Sequence, residues 1–127
     1  MKIVGASLVI SGLMAALVAG TASAAGNDPV HGKTVFARCV ACHDLNTGAT
    51  RLGPSLKGVI GRKSGSVTGF AYSPSLKGSN LVWNAATLDQ FLTSPMKYVP
   101  GSRMPFAGLP SAQDRADLIA YLEQAAR

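Results

Sequence analysis

Cys39-Val40-Ala41-Cys42-His43 contains both cysteines of a 127-residue chain. The Cys-x-x-Cys-His spacing is that of covalent c-type haem attachment. In a helical segment, residues three and four apart share a face. Cys39 and Cys42 would then present two thiols to the vinyl groups on one porphyrin edge, and His43 would bring an imidazole to the iron. A thioredoxin-like redox pair is the rival reading of Cys-x-x-Cys, but it expects a βαβ context that the flanking residues do not offer. A zinc site needs further Cys or His ligands, and His31 is the only other histidine. A disulfide across two residues would close a very small loop and stabilise little.

Upstream, Lys2 precedes an apolar run from Ile3 to Gly20, and the run ends in the small-x-small pattern Ala22-Ser23-Ala24. This reads as a secretory leader, 1–24, cleaved after Ala24, which leaves 25–127 as one small domain. The run is also about the roughly 20 residues that a membrane anchor needs. Gly5, Gly12, Gly20 and the cleavage pattern favour the leader. Export agrees with haem attachment, which in bacteria follows export. The expected location is the periplasm, with a membrane-anchored form if the leader is retained.

The chain has 12 Lys+Arg against 6 Asp+Glu. Only Lys2 lies in the leader, so the domain keeps a clear positive excess. In an exported protein nucleic acid is not the expected partner. An acidic docking surface on another protein is the better match to this charge, and solubility alone is the plainer alternative.

Asp28-Pro29 supplies a cap and a first-turn proline. Gly32, Val35, Phe36 and Cys39 then recur at helical spacing, so the first helix is expected to carry the motif on its inner face. Residues 44–69 are rich in glycine and read as loop. So much irregular chain buries little apolar surface by itself, and a buried macrocycle would complete the core. Ser73-Pro74 starts a short helix. Asn84 caps a longer one with Leu88, Phe91 and Leu92 on its apolar stripe, and Pro95 ends it. Residues 95–110 read as loop. Ser111 and Asp114 form a capping-box pattern for a last helix with Leu118, Tyr121, Leu122 and Ala125 inward. No strand, repeat or second domain is expected.

One histidine fills one axial position of an iron. The candidates for the other are Met96, Met104, His31 and several lysines. Met104 lies in Pro100-Gly101-Ser102-Arg103-Met104-Pro105-Phe106, where prolines limit loop motion. Composition alone weighs it equally as ligand or core filler.

Several separated motifs resemble the class I cytochromes c, above all the small soluble bacterial members close to mitochondrial cytochrome c. They are Cys39-x-x-Cys42-His43, Gly53-Pro54-x-Leu56-x-Gly58, Gly61-Arg62-Lys63-x-Gly65, Gly69-Phe70-x-Tyr72-Ser73 and Trp83. Tyr98-Val99-Pro100-Gly101-x-x-Met104-x-Phe106-x-Gly108 and Asp114-Arg115-x-Asp117-Leu118-Ile119-x-Tyr121-Leu122 complete the set. The resemblance spans about Gly32 to Leu122. It implies an all-α fold, with about four to five helices and loops wrapped around one covalent haem c. It implies His43 and Met104 as the iron ligands, Pro54 as acceptor for the histidine's second N–H, and Arg62, Tyr72 and Trp83 around a haem propionate. Ser102 keeps the hydroxyl of a threonine that is common in the family. Leu76 and Phe91 stand where asparagine and tyrosine are common, so the methionine side has fewer polar groups.

The resulting expectation is an exported monomeric electron carrier, not an enzyme, shuttling one electron between redox complexes. A membrane quinol-oxidising complex, a terminal oxidase or a photosynthetic reaction centre would present the acidic partner surface. Lys33, Arg38, Lys57, Lys97 and Arg103 are the expected docking face. The competing reading is a haem enzyme or gas-binding sensor with an open sixth coordination position. A fixed subunit of a larger complex is the third.

Overall fold

The computed structural model describes residues 27–127, and the expected leader lies outside them. Helix α1, Pro29–Phe36, begins as its cap dictates: the Asp28 carboxylate accepts from the Val30 N–H at 2.9 Å and the His31 N–H at 3.3 Å, while Pro29 needs no acceptor. It buries Gly32, Val35 and Phe36.

The expectation that α1 carries the haem motif is corrected. The helix ends at Phe36, and the motif follows on consecutive turns. The Cys39 N–H bonds back to the Phe36 carbonyl at 2.8 Å, and the His43 N–H to the Cys39 carbonyl at 2.9 Å. The turn from Cys39 to His43 therefore keeps one helical hydrogen bond without continuing the helix.

Residues 44–69 form loops, as expected, and the loop continues to Ser73. Their one regular feature is an isolated antiparallel bridge between Lys63 and Val82. It brings Arg62 beside Trp83, whose N–H donates to the Arg62 carbonyl at 2.9 Å. Helix α2, Pro74–Gly78, is capped by Ser73. Helix α3, Ala85–Thr93, has a reciprocal cap, in which the Asn84 side chain and the Thr87 hydroxyl each satisfy the other's backbone N–H.

Pro95 ends α3, but it also starts a single-turn helix α4, Pro95–Tyr98, where only loop was expected. Ser94 is extended, which the following proline favours. Pro95 then sits where a missing N–H costs nothing. Helix α5, Ala112–Ala125, starts with Ser111 accepting from the Asp114 N–H at 3.1 Å.

The fold is closed by α1 crossing α5, and α3 packs on both α5 and α4. A side-chain carbon on Gly32 would collide with the Asp117 backbone carbonyl, so only glycine permits this crossing. Asp117 is only 2% exposed. Its carboxylate accepts from the Asp28 N–H at 2.7 Å and the Gln113 amide at 2.7 Å, and it meets His31 Nδ1 at 2.8 Å. Phe36 packs on Tyr121 with ring centroids 5.6 Å apart. Leu118 and Leu122 complete the core toward α3.

Candidate haem site

Between these elements lies one large cavity of about 610 Å³. All eight expected site residues line it: Cys39, Cys42, His43, Pro54, Arg62, Tyr72, Trp83 and Met104. They come from six separate stretches of chain. Most of the remaining wall is apolar, including Phe36, Leu56, Val59, Leu88, Phe91 and Leu118.

On one side, Cys39 and Cys42 are partly buried free thiols. Burial raises the Cys39 pKa, although the neighbouring Arg38 charge acts against the rise. The His43 ring is oriented by its Nδ1, which lies 2.7 Å from the Pro54 carbonyl. A carbonyl only accepts, so Nδ1 carries the proton and Nε2 keeps its lone pair. Burial lowers the His43 pKa, partly offset by the Pro54 bond, and so favours the neutral ring that a metal ligand must be. Gly53 lies flat against this ring: a Cβ there would come 2.5 Å from His43 Cε1. Its N–H also bonds the Cys42 carbonyl at 2.8 Å. Gly53 belongs to a quoted motif, yet nothing in its sequence context reveals that contact.

At a second side, Arg62 donates to the carbonyls of Lys57 at 3.0 Å and Ser55 at 2.8 Å. Its Nε is buried with no partner. Burial also lowers the Arg62 pKa, and its hydrogen-bond partners are carbonyls with no carboxylate among them. Tyr72 accepts from the Val67 N–H at 3.0 Å through its hydroxyl, which leaves its own proton free to donate. Trp83 stands on Phe91 with centroids 5.0 Å apart.

For the second iron ligand, the candidates left open by composition separate. Met104 lines the cavity, and the Ser102 hydroxyl accepts from its N–H at 3.4 Å. Met96 lies outside the cavity and is 50% exposed. His31 is engaged with Asp117, and among the described residues no lysine reaches the cavity wall. Leu76 and Phe91 line the cavity, which extends its apolar character.

These features fit a haem. A largely apolar cavity is lined by two thiols, a neutral imidazole with a free nitrogen, a thioether and a guanidinium whose unpartnered Nε is suited to a carboxylate. Among the described residues, no group of three or more His, Cys, Asp or Glu is placed to hold a bare metal ion.

The Cytochrome c family model matches residues 29–126. Cytochrome c type-1 of Ascaris suum is 52% identical over 94 residues, covering 73% of this chain and 84% of that protein. Cytochrome c2 of Rhodoblastus acidophilus is 49% identical over 98 residues, covering 76% of this chain and 92% of its own. The solved structure of cytochrome cH from Methylobacterium extorquens superposes with a TM-score of 0.72 at 43% identity, covering 76% of this chain and 97% of that one.

Proposed function

This chain belongs to the class I cytochromes c, and on that premise we propose that it is an exported one-electron shuttle whose iron is held between His43 and Met104. Family membership makes it a haem-based electron carrier rather than an enzyme, with Cys39 and Cys42 matching the covalent attachment motif. The observation that carries the ligand assignment is the sorting of the two methionines: Met104 in the cavity wall and Met96 half exposed outside it.

When bound, haem c supplies the ferric–ferrous couple. The residues set its terms. The Pro54 carbonyl holds the His43 ring in one orientation and raises its basicity as a donor. A thioether from Met104 is a weak donor to ferric iron, and it stabilises the ferrous state together with the apolar lining. Arg62 Nε and the Tyr72 O–H would take a propionate. With His43 and Met104 both available to hold the iron, a bound haem would have no open coordination site, which disfavours the enzyme or gas-sensor reading.

The test is Met104→Ala against Met96→Ala. The first should abolish the weak far-red sulfur-to-iron band of the ferric protein and let the reduced protein bind carbon monoxide readily. The second should do neither. Loss of the band on Met96→Ala alone would reverse the assignment.

Among the described residues, no helix is long and apolar enough to cross a membrane. The leader reading rests on Ala22-Ser23-Ala24. N-terminal sequencing of the mature periplasmic protein should begin at Ala25, and recovery only in membranes with Lys2 retained would favour an anchor.

Lys33, Arg38, Lys57, Lys97 and Arg103 are all exposed, and Arg38 and Arg103 also line the cavity. Their proposed role is to steer a monomeric carrier onto acidic surfaces of a quinol-oxidising complex, a terminal oxidase or a photosynthetic reaction centre. Exposed Leu52, which lines the same cavity, provides apolar contact there.

A further inference from the structure

We propose that Arg115 is a positioning residue for Met104, acting as a latch on the root of the loop that carries it. The inference rests on Met104 being the iron ligand.

The segment from Val99 to Ser111 joins α4 to α5 and contains Pro100, Pro105 and Pro110, none of which can donate a backbone hydrogen bond. Downstream of Met104 it is held sparsely. The Phe106 N–H bonds the Met104 carbonyl at 2.9 Å, a contact internal to the loop. The first backbone anchor to another element is the Leu109 N–H, which donates to the Leu92 carbonyl at 2.7 Å. Gly108, at φ 111, lies so close to the end of α3 that a Cβ would collide with the Thr93 carbonyl.

Arg115 completes this root. It lies in the first turn of α5, and its side chain is 11% exposed. Nη1 donates to the Leu109 carbonyl at 2.8 Å and to the Pro110 carbonyl at 3.1 Å, while Nε donates to Asp89 Oδ1 at 2.7 Å. One guanidinium thus joins the loop root to α3 and α5. Asp89 is 47% exposed, so the ion pair itself adds little stability. Its effect is to fix the plane of the fork while the other nitrogen holds two carbonyls. A lysine carries the same charge but lacks that rigid fork.

Met104 can leave the iron only if its loop moves. Four residues lie between Met104 and Leu109, and the intervening chain has no other backbone anchor to the body of the protein among the described bonds. Release at the root therefore governs how often the thioether departs. Phe91 and Leu92 on α3 line the cavity, so the same latch also ties the methionine loop to the cavity wall.

The test uses the ferric holoprotein and imidazole as the entering ligand, since entry requires Met104 to leave. Arg115→Lys should keep the resting far-red band yet admit imidazole about tenfold faster, the effect of losing one charge-assisted hydrogen bond. Asp89→Asn should give a smaller increase. A role confined to general stability would lower the denaturation midpoint and leave imidazole entry in native buffer unchanged; that result overturns the latch. If the unaltered protein shows no far-red band, the ligand reading fails and the latch with it. If the band is present but entry is equal in both proteins, the latch alone fails. A second measurement needs no variant: the Leu109 amide should exchange its hydrogen through an opening that matches the one admitting imidazole. Exchange of that amide only on global unfolding, with imidazole entering more readily, would also overturn the proposal.

Discussion

Asp117 has the chemistry of a surface residue and the environment of a core residue. The carboxylate holds α1 to α5 through the Asp28 N–H, the Gln113 amide and His31. The Asp28 N–H bond is the main cause that lowers its pKa below the usual carboxylate value, with the His31 and Gln113 bonds acting in the same direction and burial opposing them. A carboxyl whose pKa is depressed on folding stabilises the folded state above its unfolded pKa, about 4, and loses that contribution as the pH falls through the folded value. Asp117→Asn should therefore be less stable than the unaltered protein at pH 7, and the gap should narrow toward pH 3. Urea denaturation at both pH values checks this; a gap independent of pH would count against it. Nothing in the run Arg115-Ala116-Asp117-Leu118 marks that burial, because two of the three partners, His31 and Asp28, lie 86 and 89 residues away. Cys39, Cys42 and His43 were legible because their chemistry is local.

Helix starts were legible for the same reason. Asp28, Ser73, Asn84 and Ser111 each cap the helix that follows, within two or three residues of sequence. Helix ends were less so. Periodicity ran on from Phe36 to Cys39, but the chain turns there. At α4 the same proline both stops one helix and starts another. The α1–α5 crossing is the element-scale test. Gly32→Ala gains helix propensity worth about 1 kcal/mol. Against this, the new methyl group meets a backbone carbonyl that cannot swing away, and such overpacking costs about 1–3 kcal/mol. Forcing the helices apart also stretches the Asp28 and His31 bonds to Asp117. The collision wins, and Gly32→Ala should lose about 1 kcal/mol in urea denaturation. Equal or greater stability would show that the crossing has slack.

For the whole molecule, charge matters in encounter more than in stability. Exposed ion pairs contribute under about 1 kcal/mol, whereas a summed positive field can raise association with an acidic partner by roughly 10- to 1,000-fold. Charge reversal at Lys97 or Arg38 should slow second-order electron transfer at low salt with little change in the haem spectrum. The difference should shrink as ionic strength rises. A rate equal in both proteins and independent of salt would refute the docking face. Sequence by itself determined the covalent chemistry, the helix caps, the all-α class and the family, since each is written in neighbouring residues or in ordered motifs. Only the tertiary structure decided which methionine lines the cavity, that Arg62 keeps an unpartnered nitrogen, and that Asp117 and Arg115 tie distant segments together. Those depend on where loops without periodicity come to rest, and that is set by packing between residues far apart in the chain.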